Sequence, residues 1–237
     1  MHTFEEWKKK LIIVRGGGDI ATGTIYKLHQ SRFPVLVLEI ANPSCIRRTI
    51  SFCEAVFDKE VEVEGVIAKR ADSLEEAFAI YEQGQIPVMI DENGSTIETL
   101  HPPVVVDAIL AKKNLGTKIT DAPAVIGVGP GFCAGKDVDA VIETQRGHNL
   151  GRVIYEGEAA PNTGIPGRIA GYAKERVIHA PAAGNLHILK QIGEIVQAGD
   201  KIADIEGTPV KTVIGGVLRG MIREGYPVKK GLKIADV

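Results

Sequence analysis

A four-residue apolar run, Leu11-Ile12-Ile13-Val14, leads directly into Arg15-Gly16-Gly17-Gly18-Asp19-Ile20-Ala21. Few arrangements suit such a junction: a buried strand, a turn without side chains, and a helix beginning at once. Gly16, Gly18 and Ala21 stand in the G-x-G-x-x-A spacing. In that pattern the first glycine makes the tight turn, the second admits close backbone approach, and the alanine packs helix on strand. Ala21, Ile25 and Leu28 then fall on one helical face. A second apolar run, Val35 to Leu38, ends in Glu39, about twenty positions on, where an acidic side chain accepts ribose hydroxyls in dinucleotide-binding turns. Unpaired amides at the helix start suit an anion. Gly16, Gly17, Gly18, Asp19, Ala21 and Glu39 are therefore candidate ligand-binding residues, with a structural turn around an empty crevice as the alternative.

Strand and helix signals alternate downstream. Val61 to Lys69 reads as extended. Ser73-Leu74-Glu75-Glu76 starts a helix with Leu74, Ala77, Phe78 and Tyr81 on its inner face. Pro87 to Asp91 reads as a strand closed by an Asn93-Gly94 turn. A helix is expected from about Val105 to Asn114, and Ala124 to Val128 reads as a buried strand. The fold class expected is α/β: a Rossmann-like, mostly parallel sheet over 1–170, followed by a small all-β domain over 171–237.

That second part carries an internal repeat at an offset of 32 residues. Gly184, Leu186, Gly193, Val196, Gly199 and Lys201-Ile202-Ala203-Asp204 recur as Gly216, Leu218, Gly225, Val228, Gly231 and Lys233-Ile234-Ala235-Asp236. Its form resembles the biotinyl and lipoyl domains, which implies a flattened barrel-sandwich. Pro209 occupies the place of the modifiable lysine, so a covalent carrier arm is rejected.

Composition narrows the classes. The chain has 237 residues, 44% of them hydrophobic, and a net charge of −2. That balance favours neither nucleic acid nor an anionic membrane. No apolar stretch reaches spanning length and no signal peptide is read, so a cytoplasmic protein is expected. Three cysteines and six scattered histidines show no metal-ligand spacing, and no metal site is expected.

The densest functional-looking stretch runs from Gly127 to Arg152. Gly129-Pro130-Gly131-Phe132-Cys133-Ala134-Gly135-Lys136-Asp137 lacks the glycine and the Ser/Thr of a P-loop, yet such a loop can form an anion nest. Gly129, Gly131, Arg146, His148 and Arg152, with Arg47 and Arg48 further back, are candidate anion ligands. Solvated arginines and a structural His148 are the plainer alternatives. Cys133, near Lys136, is the thiol with a catalytic environment, against the plainer role of a small buried hydrophobe.

The ordered set R-G-G-G-D-I-A-T-G at 15–23, I-R-R-T-I-S-F at 46–52, G-P-G-F-C-A-G-K-D at 129–137 and I-E-T-Q-R-G-H-N-L-G-R at 142–152 resembles the selenium-dependent molybdenum hydroxylase accessory proteins. N-T-G at 162–164 and G-V-L-R-G at 216–220 extend the likeness over essentially the whole chain. The resemblance implies a maturation role, a molybdenum hydroxylase client as partner, and a phosphate-bearing ligand, either a molybdopterin-type cofactor or a nucleotide, with Cys133 as a selenium or sulfur carrier. Relatives tend to continue past Val237, and homo-oligomerisation is left open. The alternatives are an NAD-dependent oxidoreductase, with Glu39 selecting NAD, and a non-catalytic docking chaperone.

Overall fold

The computed structural model describes residues 3–164 and 166–237. Contacts divide it into two units, residues 1–43 with 50–163, and residues 44–49 with 164–237.

In the larger unit the strands are β1 (Ile12–Arg15), β2 (Val35–Glu39), β3 (Glu60–Val63), β4 (Val66–Ala71), β5 (Ile86–Ile90), β6 (Val104–Asp107), β7 (Ala124–Val128), β8 (Cys133–Ala134), β9 (Ala140–Ile142), β10 (Val153–Ile154) and β11 (Gly157–Glu158). Nine of them form one sheet in the order β10-β9-β7-β6-β1-β2-β5-β4-β3. Seven central strands run parallel; β10 on β9 and β3 on β4 are antiparallel. The sheet is therefore mixed, with β8 and β11 paired separately.

The helices are α1 (Phe4–Lys8), α2 (Asp19–Gln30), α3 (Ala55–Asp58), α4 (Leu74–Glu82) and α5 (Ser95–Leu100). Ala21 and Ile25 of α2 pack into one hydrophobic cluster with Val14, Val37 and Phe52. Trp7, Ala77 and Ile80 join a second with Leu11, Ile13 and Leu36. β1 and β2 thus have apolar side chains in both clusters, which is why their sequences are continuously apolar rather than alternating. The Ser73 hydroxyl accepts from the Glu76 amide at the start of α4.

Two local expectations change. Val105 to Asn114 is not a helix: Val104–Asp107 is the central strand β6, hydrogen-bonded to β1 and β7. Three consecutive valines fit a pleated, buried position better than a helix. The short helix α5 is absent from the sequence expectations. Asp91 organises it, accepting from the amides of Gly94, Ser95 and Thr96. These bonds hold its carboxyl below its ordinary pKa even though burial pushes the other way.

The smaller unit contains β12 (Val177–His179), β13 (Gly184–Ile188), β14 (Ile195–Val196), β15 (Lys201–Ile205), β16 (Thr208–Lys211), β17 (Gly216–Val217), β18 (Gly220–Met221), β19 (Pro227–Val228) and β20 (Lys233–Asp236). The repeat appears as reciprocal pairing. Gly184 of the first half faces Val228 of the second, and Gly216 of the second faces Val196 of the first. Each half completes its core only with strands of the other, through Leu186, Ile202, Leu218 and Ile234.

The expected fold class nevertheless needs correction. In place of a Rossmann-like parallel sheet with a closed barrel-sandwich stand a large mixed sheet and several small antiparallel sheets of two to four strands. The described residues close no barrel. Ladders only two residues long, and register shifts at Ile178/His179 and Lys201/Ala203, interrupt the hydrogen bonding that closure would need. Among the described residues no helix is long and apolar enough to cross a membrane.

Candidate functional site

The glycine turn after β1 is filled by the protein itself. Gly16 has φ +90°, and a Cβ there would lie 2.9 Å from the Ile109 Cα. The Gly17 amide donates to Glu39 Oε2 at 2.8 Å, and the Ile40 amide donates to Glu39 Oε1 at 2.8 Å. The Gly17 carbonyl accepts from the Cys53 amide and the Thr22 hydroxyl. Burial raises the Glu39 carboxyl above its ordinary value, against the opposing pull of the Ile40 and Gly17 amides. The carboxylate read as a ribose acceptor instead occupies the amide proposed for a phosphate. Gly18, with open space around it, is the N-cap of α2, and Asp19 and Ala21 lie in that helix's first turn.

Beside this turn Arg15 and Asp107 are register partners on β1 and β6, 6% and 1% exposed. Thr117 bridges them, accepting from Arg15 Nη1 and donating to Asp107 Oδ2, each at 2.5 Å. A charge pair this buried persists because its polar atoms are satisfied.

The other candidate residues scatter. Arg47 and Arg48 belong to the smaller unit. Arg47 Nη2 pairs with Asp236 Oδ2 at 2.8 Å, and Arg48 Nε donates to the Met221 carbonyl. Gly129 and Gly131 lie in the turn after β7, where the Gly129 amide donates to the Ile142 carbonyl. The Cys133 amide donates to Asp137 Oδ2, and the Gly135 amide to the Val138 carbonyl. The Gly129, Cys133 and Gly135 amides therefore serve the protein's own acceptors. Cys133 is half-buried. Arg146 and His148 are exposed on the connection from β9 to β10.

Arg152 lines a sizeable cavity. It measures about 480 Å³ and is bordered by Glu143, Asn149, Arg152, Val153, Ile154, Tyr155, Glu156 and Glu158. The β9–β10 hairpin builds it. The Glu143 amide donates to the Arg152 carbonyl, and the Gly151 amide to the Glu143 carbonyl. Glu143 is itself fixed: its carboxylate accepts from the Gln145 amide at 2.6 Å and the Ala160 amide at 2.8 Å. Burial works against its charge, but the amides of Ala160, Gln145 and Thr144 outweigh it and lower its pKa. Glu143 is thus a rigid wall, while Arg152, Tyr155, Glu156 and Glu158 are exposed. Glu156 and Glu158 escaped sequence reasoning; the signal was Tyr155-Glu156-Gly157-Glu158, charge and aromatic together after a hairpin.

No protein-family model matches the chain. It is 49% identical over 228 residues to the uncharacterized protein YqeB of Escherichia coli K12, covering 96% of this chain and 42% of that protein. The chain therefore spans about two fifths of that relative's length. Among solved structures it matches the product-bound ectoine utilization protein EutE (DoeB) from Ruegeria pomeroyi, at 11% identity and a TM-score of 0.27, over 86% of this chain and 57% of that one. It also matches an aspartoacylase family protein from Mesorhizobium loti, at 9% identity and a TM-score of 0.31, over 96% and 84%. A succinylglutamate desuccinylase/aspartoacylase from Rhodobacter sphaeroides follows at 13% and 0.29, over 97% and 85%. Scores this low carry no conclusion about the chemistry of this chain.

These comparisons correct the family expectation. The matched structures are of ectoine-utilization and aspartoacylase or desuccinylase type, and the curated relative bears no functional description. A role in selenium-dependent molybdenum hydroxylase maturation is not supported. The NAD-dependent oxidoreductase and the docking chaperone lack support as well. At the turn after β1, the Gly17 amide is already used by Glu39.

Proposed function

We propose that the larger unit is a binding domain for a small zwitterion of the amino-acid class, held in the cavity beside β10. The observation that carries this reading is the presence of Arg152 opposite in charge to Glu156 and Glu158 along one cavity of about 480 Å³. That volume suits a metabolite-sized ligand. A guanidinium recognises a carboxylate with two parallel hydrogen bonds, and a carboxylate pair recognises an ammonium. Asn149 and Tyr155 add hydrogen-bonding groups at the rim, and the locked Glu143 keeps the wall in place.

Calorimetry on the full chain tests it, with α-amino acids titrated beside the matching amines and carboxylic acids. Zwitterions should bind, and each half-ligand should bind at least about tenfold more weakly. R152Q should selectively weaken ligands that carry a carboxylate, and a paired E156Q/E158Q change those that carry an ammonium. Equal binding of all three ligand types, or none at millimolar concentration, would sink the proposal.

A further inference from the structure

A second cavity, of about 390 Å³, is lined by His29, Arg32, Phe33, Tyr81, Glu82 and Gly84. It gathers the C-terminal ends of α2 and α4, away from the β9–β10 hairpin in sequence and built from different elements. Both helices end in the same way. At α4 the Gly84 amide donates to the Tyr81 carbonyl and the Gln85 amide to the Ile80 carbonyl; at α2 the Arg32 amide donates to His29 and the Phe33 amide to Leu28. This is the Schellman arrangement, in which the penultimate donor sits in the left-handed region that favours glycine. Gly84 meets that preference at φ +75°, whereas α2 places an arginine there, Arg32, at φ +64°.

The helix dipole favours cations near a C-terminus, but Lys27 and His29 already serve the last turn of α2. It does not call for a cation at the left-handed position. Arg32 therefore carries a guanidinium where glycine would be easier, and the next residue, Phe33, leaves 49% of its surface exposed. Tyr81 supplies a second aromatic ring to the same cavity. Aromatic faces favour a flat apolar body, and a guanidinium favours a carboxylate.

We propose that this cleft is a separate ligand site for a small aromatic monocarboxylate, its carboxylate on Arg32 and its ring against Phe33 and Tyr81. Glu82 in the lining disfavours a second negative charge. The site is independent of the zwitterion cavity and stands if that reading fails.

Saturation-transfer NMR and calorimetry with phenylacetate on the full chain test the proposal, with phenylacetamide and phenethylamine as controls. Phenylacetate should bind, the neutral amide about tenfold more weakly, and the amine not measurably. R32G is the informative variant, because glycine relieves the left-handed strain. Its Tm should rise by roughly 2–4 °C while its phenylacetate affinity falls about tenfold. F33S should weaken phenylacetate about tenfold while lowering the melting temperature by only a few degrees, as expected for a half-buried ring. Absence of phenylacetate binding at millimolar concentration, unchanged affinity in R32G, or equal binding of the amine would overturn it.

Discussion

The Glu39 carboxylate accepts a hydrogen bond from the Gly17 amide at 2.8 Å, joining the end of β2 to the turn after β1. This contact gives Glu39 a structural role in the turn, and the burial of its carboxyl makes the turn sensitive to pH.

The sign follows from burial. Glu39 has a folded-state pKa raised above its ordinary value, so the native chain holds its proton more tightly than the unfolded chain does. Its contribution to stability is complete below the unfolded pKa and is lost as pH rises through the raised folded value. Denaturant titrations from the ordinary glutamate range upward should show wild type losing stability over that window and E39Q changing less. Parallel curves for the two proteins would refute the assignment.

Two glycines of the same turn should respond oppositely to a side chain. G16A forces a Cβ against Ile109 at a positive φ and should cost about 2–4 kcal/mol. Gly18 has φ −66° at an N-cap with no side-chain hydrogen bond, and a Cβ added there would meet no atom within 4 Å. G18S should therefore be neutral or stabilise by about 0.5 kcal/mol. Urea midpoints measure both; equal losses would contradict the packing described.

The Arg15–Thr117–Asp107 network should behave as one unit. Removing Arg15 alone, as R15M, leaves Asp107 buried without its countercharge and should cost about 3–5 kcal/mol. The double change R15M/D107L should cost clearly less than the sum of the single changes. A double-mutant cycle by equilibrium unfolding reads this coupling, and simple additivity would show that the pair is not coupled.

Legibility followed the range of each interaction. The strand at 12–15, the helix at 19–30 and the helix after Ser73 could be read because their signals lie within a few residues. The 32-residue repeat was visible for a similar reason: identical turns leave identical glycines. Val104–Asp107 resists local reading because a β-branched run of three has no period long enough to separate helix from strand. Only its two parallel neighbours decide it. The short helix α5 escapes local reading because its cap is Asp91, four residues before its first residue and across the Asn93-Gly94 turn.

Candidate site residues fared by the same rule. Arginine identity is plain in the sequence, but its partner is not. Arg47 answers to Asp236, 189 positions away, and Arg152 lines a cavity with Glu156 and Glu158. By itself the sequence determined the apolar runs, the side-chain-free turn after the first strand and the duplicated C-terminal pattern, since each follows from local sterics and periodicity. Tertiary structure alone decided that Glu39 would fill that turn, that the duplicated halves would exchange strands, and which cations would face a cavity. Those outcomes depend on which distant groups are brought close enough to satisfy a buried charge or amide, and local pattern carries no record of that proximity.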